Sequence, residues 1–208
     1  MGSENRRRRL GADGEHPLNR FHNWYCRSSL WRRTLYGSVL PWALDGGSLG
    51  DDVLEIGPGP GLTSDLLMQR VSKLTAIEFD PLLAQHLRRR LAGTNVVVVT
   101  GDATDMRFAP DQFSAVVSFT MLHHVPSADA QNRLLHEAFR VLRPGASFLG
   151  SDSRPNLLFR AAHLFDTMVL VDPNQFGRRL EDAGFEEVRV ESRRTAFRFS
   201  ARKPAKEG

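Results

Sequence analysis

The chain has 208 residues, 41% hydrophobic and 25% charged, a balance that fits one globular domain and excludes a fibrous or low-complexity chain. No apolar run is long enough to cross a bilayer. Polar residues follow the basic cluster Arg6 to Arg9 where a signal peptide has its apolar segment, so a soluble, cytoplasmic protein without membrane insertion is expected. Cys26 stands alone, which excludes an intramolecular disulfide and a thiolate metal cluster.

The formal charge of +4 is unevenly placed, with eight arginines against Glu4, Asp13 and Glu15 in the first 33 residues. Residues 1–14 are charged and aperiodic and read as a disordered basic tail; residues 15–208 read as a single domain. Residues 17–44 hold all three tryptophans and both tyrosines. Trp24, Trp31, Leu35 and Val39 recur at roughly helical spacing, which predicts an N-terminal helical cap over residues 15–47.

Strands and helices then alternate, as in a parallel sheet covered on both faces. Strands are predicted at 53–56, 74–79, 96–100, 113–119 and 147–151, and the four consecutive valines of the third predict a buried strand. Helices are predicted at 63–71, from Pro81 to about Leu91 with Asp80 as N-cap, and at 129–142. Pro144-Gly145 reads as a turn, residues 156–171 as a buried helix or cap, and 174–183 as a helix stopped by Gly184. Residues 187–191 and 196–201 read as two strands able to form a hairpin.

The chemistry concentrates in Asp52 to Leu62, DVLEIGPGPGL, an apolar strand breaking into Gly57, Gly59 and Gly61. Alternate glycines let a ligand approach the backbone, and Thr63 or Ser64 is expected to cap the following helix. The dinucleotide fingerprint would place its third glycine at Leu62, and no Lys-Ser/Thr pair completes a phosphate-binding loop. With Glu55 inside the site and no phosphate-binding lysine, a ligand with a cationic centre suits the loop better than a polyphosphate.

VLEIGPGPG, AIEFDP, GDATDMRF, FSAVVSFTMLHHV and EAFRVLRPGASFL, in that order, resemble the blocks of a class I S-adenosylmethionine-dependent methyltransferase, similar to the small-molecule group called methyltransferase type 11. The resemblance implies a three-layer α/β/α Rossmann-like fold with a seven-stranded, mostly parallel sheet whose last strand is antiparallel. It implies S-adenosyl-L-methionine as cofactor, with Glu55 near its amino-acid end and Gly57, Gly59 and Gly61 along its sugar and methionine. Glu78 would accept hydrogen bonds from the ribose hydroxyls, and Phe79 would pack beside the adenine. Asp102 and the Ala103 amide would hold the adenine amino group, and Ser118 and Phe119 would line the methyl-transfer centre.

His123 and His124 are the candidates for acid–base work, because imidazole titrates near neutral pH. No metal-ligating set is expected. The sequence lacks the motifs of amino-methylating nucleic-acid enzymes and of cytosine-ring enzymes, which points to a small, apolar or aromatic acceptor, with oxygen the favoured atom, beneath a cap of the N-terminal helix and residues 157–171 over the carboxyl ends of the strands; the same two segments read equally well as plain covering helices for the sheet. Two other functions stay open: a non-catalytic binding protein of the same fold, and an RNA methyltransferase using the basic arm. Oligomeric state and the identity of the acceptor are not readable from the sequence.

Overall fold

The structure, a computed structural model, describes residues 29–45, 47–154 and 168–206. The basic tail, Trp24, Tyr25, Cys26 and most of the apolar stretch 156–171 lie outside the described residues. In chain order the elements are α1 (Ser29–Thr34), a π-helical turn (Leu35–Val39), α2 (Leu40–Ala43), β1 (Asp52–Ile56), α3 (Leu62–Leu67), β2 (Lys73–Glu78) and α4 (Pro81–Arg90). They continue with β3 (Val96–Thr100), β4 (Phe113–Phe119), a 3-10 turn (Leu122–His124), α5 (Ala128–Val141), β5 (Leu142–Ser153), α6 (Pro173–Asp182), β6 (Glu186–Ser192) and β7 (Ala196–Arg202).

The seven strands form one sheet in the order β3-β2-β1-β4-β5-β7-β6. Strands β1 to β5 run parallel, and β7 is antiparallel to both β5 and β6. The central strands β1 and β4 are buried on both sides, the reason they read as mostly apolar without alternation. One face packs Leu134, Leu135, Ala138, Phe176 and Leu180 of α5 and α6 against Leu54, Val116, Phe148 and Phe199. The other packs Leu35, Leu40, Ala43 and Leu67 against Val53, Ala115, Val117 and Leu149. Helices on both faces of the sheet make the three-layer α/β/α fold.

Two expectations are corrected. The valine strand β3 ends the sheet, so it has a single strand neighbour, and Val97 is 50% exposed; its residue type reflects β-propensity on an edge and not two-sided burial. Residues 35–44 pack Leu35, Leu40, Ala43 and Leu44 against one sheet face. The Pro144-Gly145 turn is absorbed into β5 as a bulge. Phe113 pairs with Leu142 and Ala115 with Ser147, and Gly145 takes the left-handed φ of +77° that the extra residues demand.

Candidate active site

β1 pairs with β2 on one side and β4 on the other, so the chain reverses its direction of winding there and leaves a crevice at the carboxyl ends of the strands. Into it lead the glycine loop after β1, Glu78 and Phe79 at the end of β2, Asp102 just beyond β3, and the exit of β4.

The loop is tied at each step. Gly57 N donates to Ile77 O at 2.9 Å, Gly59 N to Glu78 Oε2 at 3.0 Å, and Gly61 N to Pro58 O at 2.9 Å. Its glycines have different reasons to be glycine. A Cβ on Gly57 would strike Met121 Cγ at 2.2 Å, and one on Gly61 would strike Leu87 Cδ1 and Arg90 Nη2 at 2.3 Å. A Cβ on Gly59 meets nothing within 4 Å, so the backbone there is the open cradle a ligand can approach.

Glu78 is 7% exposed, and its second oxygen accepts the Asp80 amide at 3.0 Å. Burial raises its pKa above the ordinary glutamate value, against the opposing backbone hydrogen bonds. Each carboxylate oxygen keeps a second lone pair for a ligand hydroxyl. Phe79 beside it is 74% exposed, far more than a phenylalanine ring with no partner to stack on would favour. Asp80 caps α4 as expected, accepting from the amides of Leu82 and Leu83. Asp102 is exposed and accepts the Thr104 amide at 2.8 Å, and Ala103 is half-buried. An open ring, a neighbouring acid and a glycine with free space form a set that fits an adenosine bearing a cationic amino-acid tail.

Glu55 is placed otherwise than expected. It is 1% exposed beneath the loop, where the hydroxyls of Thr63 and Ser64 donate to its two oxygens, Ser64 at 2.6 Å. Burial pushes its pKa up to about 7, the hydroxyl hydrogen bonds opposing the rise. It ties β1 to α3 and leaves no surface for a ligand. Thr63 and Ser64 therefore do not cap α3; its N-cap is Gly61, with φ of +83° and no side-chain cap.

Ser118 is fully buried and Phe119 is 5% exposed in the core, so neither lines an open centre. The residues at the exit of β4 come instead from the following turn, which the sequence marked only through its histidines. Thr120 has φ of +51°, a rare conformation for a β-branched residue, and its amide donates to Ser151 O at 2.8 Å. Met121 then folds back onto Gly57.

His123 is 2% exposed. Its Nδ1 lies 2.5 Å from Oδ1 of Asp152, and its amide donates to Oδ2 at 3.0 Å. Asp152, at the end of β5, was missed by the sequence reading. His124 is half-buried, its ring 4.2 Å from that of His123. Gln131 Nε2 donates to Leu122 O and Val169 O, and Val169 N to His123 O, fastening the turn to the chain that enters α6. Among the described residues no group of three or more His, Cys, Asp or Glu is arranged to hold a metal, and no helix is long and apolar enough to cross a membrane.

The strand order and the crevice beside β1 are those of a class I S-adenosylmethionine-dependent methyltransferase. Residues 53–145 match the model of the methyltransferase-domain family. It is 26% identical over 187 residues to the ubiquinone biosynthesis O-methyltransferase of Pseudomonas syringae pv. tomato, covering 79% of this chain and 78% of that protein. It is 44% identical over 68 residues to the "Probable ribosomal RNA small subunit methyltransferase A" of Thermococcus onnurineus, covering 33% of this chain and 24% of that one. The structure of Haemonchus contortus phosphoethanolamine N-methyltransferase 2 with S-adenosyl-L-methionine superposes with a TM-score of 0.68 at 14% identity, over 90% of this chain and 60% of that one. The chain spans 24%, 66% and 30% of the lengths of the first three curated relatives.

Proposed function

We propose that the protein transfers the methyl group of S-adenosyl-L-methionine to an oxygen of a small apolar or aromatic molecule. The observation that carries the donor half is the crevice where Gly59 is open, Glu78 spans the loop and Phe79 is bare. When bound, the cofactor supplies a methyl group on a sulfonium, already a strong electrophile. The chain's own residues then have three tasks. Glu78 accepts from the ribose hydroxyls, Phe79 covers the adenine, and Asp102 with the Ala103 amide holds the adenine amino group. The glycine loop and Met121 form the floor on which the donor is aligned with the acceptor, and alignment supplies much of the rate of such a transfer. His124 takes the proton of a hydroxyl acceptor, and the buried His123, fixed by Asp152, holds His124 in place.

The acceptor half is supported by the similarity to an O-methyltransferase of ubiquinone biosynthesis over most of both chains. A second reading, an RNA acceptor, is favoured by the 44% identity to the ribosomal RNA enzyme over 68 residues and by the arginine-rich first 33 residues. The test is transfer of isotopically labelled methyl from S-adenosyl-L-methionine to a panel of phenols, fatty acids, amines and structured RNA. Label on a phenol or carboxyl oxygen is the expected result. Label on RNA alone replaces the small-molecule reading, and failure of S-adenosylhomocysteine to bind at millimolar concentration removes both.

A further inference from the structure

The three carbonyls at the junction of the glycine loop and α3 are each held by a side chain from a distant part of the chain. Arg90, the last residue of α4, donates from Nη2 to Pro60 O at 3.2 Å and to Gly61 O at 3.0 Å. Its Nη1 lies 2.5 Å from Oδ1 of Asp65 in the first turn of α3. Tyr36, from the π-helical turn, donates its hydroxyl to Leu62 O at 2.8 Å. The Arg90 side chain is 34% exposed and that of Asp65 19%, so the pair is half-sheltered and screened only in part.

Glycines at 57, 59 and 61, all at positive φ, leave the loop alternative conformations to lose, which Pro58 and Pro60 restrict only in part. In the cofactor reading adopted above, any ordering left until binding subtracts from affinity. The clamp removes that ordering in advance. One guanidinium serves two loop carbonyls and a carboxylate at once because its donors lie in a planar fork, an arrangement a lysine ammonium does not reproduce. Gly61 is part of the same device. A Cβ there would collide with Arg90 and Leu87, so this glycine admits the clamp, while Gly59, where a Cβ has open space, admits the ligand. Neither Arg90 nor Tyr36 stands within 4 Å of that open position.

We infer that Arg90 and Tyr36 are positioning residues of the methyltransferase: they clamp the Pro60, Gly61 and Leu62 carbonyls from behind and hold the glycine loop in its cofactor-binding conformation before the cofactor arrives. Because Tyr36 belongs to the aromatic N-terminal layer, that layer contributes to donor affinity without touching the donor.

The experiment uses the full chain. Titration calorimetry with S-adenosylhomocysteine is run on wild type, R90K, R90Q, R90A and Y36F, alongside melting temperatures. Amide hydrogen exchange over residues 57–66 is measured in the ligand-free proteins. R90K and R90Q are expected to weaken binding about tenfold and Y36F about threefold, the effects of losing charged and neutral hydrogen bonds. Loop exchange accelerates in each while the central strands are unchanged. Ethylguanidinium restores part of the affinity of R90A, an effect that loss of general stability does not produce. Should R90A fail to fold, R90K and Y36F carry the same comparison. If wild type binds and R90K and Y36F bind equally well with unchanged loop exchange, the clamp is overturned and the cofactor reading stands. If wild type does not bind, the cofactor reading falls and takes the clamp's purpose with it.

Discussion

Asp152 and His123, 29 residues apart in sequence, meet in the core with Nδ1 of the imidazole 2.5 Å from Oδ1 of the carboxylate, the two side chains 2% and 1% exposed. The carboxylate only accepts, so Nδ1 carries the hydrogen. Its other oxygen takes the His123 amide, and its own backbone belongs to β5. The pair therefore fastens the turn after β4 to the next strand, next to the loop on which the donor is expected to sit.

Removing one member of this pair leaves the other buried without this hydrogen-bond partner. Asp152→Ala is expected to cost about 1–3 kcal/mol in unfolding free energy, measured by urea denaturation. His124→Ala, by contrast, is expected to change stability little and to lower the turnover rate with any oxygen acceptor, leaving S-adenosylhomocysteine affinity unchanged. Equal loss of rate and of affinity in His124→Ala would contradict its assignment to proton transfer.

Glu55 makes stability depend on pH. Its pKa is about 7 in the folded chain against 4.5 ordinarily, so the folded state holds the proton more tightly than the unfolded one. Its contribution is complete below pH 4.5 and is lost as pH rises through 7, a loss of about 3 kcal/mol across that window. Glu55→Gln keeps a neutral group of the same shape under Thr63 and Ser64. The difference in unfolding free energy between pH 4.5 and 8 is therefore expected to be smaller by about that amount in the variant than in wild type; an identical pH dependence refutes the assignment.

Glu78→Ala removes both the expected ribose acceptor and the tie to Gly59. Affinity for S-adenosylhomocysteine is expected to fall by one to two orders of magnitude, since hydrogen bonds to a charged group contribute about 1.5–3 kcal/mol. Calorimetry reads it directly. Phe79→Ala is expected to reduce affinity while raising solubility, because it removes an exposed ring that the adenine alone is meant to cover.

The glycines separate by neighbour. Gly61→Ala puts a Cβ 2.3 Å from Leu87 and Arg90 at a φ of +83° and is expected to lower the melting temperature by several degrees. Gly59→Ala has open space at a φ of +53° and is expected to lower it less, with most of its effect on ligand affinity. Thermal melts with and without S-adenosylhomocysteine distinguish the two. Equal melting temperatures for the free variants would remove the steric argument at Gly61.

Much of the fold was legible because its signals are local. The strand at 113–119 is buried on both faces and therefore mostly apolar, with Ser114 and Ser118 its only polar residues. Asp80-Pro81 marks the start of α4 because capping and φ preference act within a turn. Gly184, at φ of +101°, follows α6 for the same kind of reason. The valines of β3 misled because β-propensity does not report how many neighbours a strand has. Glu55 misled because an acid beside a glycine loop has two destinations, outward to a ligand or inward to Thr63 and Ser64. The choice depends on where α3 packs.

By itself the sequence determined the alternation of strands and helices, the position of the glycine loop and the acid at the end of β2, and through these the methyl donor. These are properties of hydrogen bonding and side-chain period over a few residues. Only the tertiary structure decided which residues stand behind that loop: Arg90 against Gly61, Tyr36 against Leu62, Met121 against Gly57, and Asp152 against His123. Those contacts span 26 to 64 residues of chain and exist because packing around the sheet brings separate helices, turns and strand ends together, which no local pattern encodes.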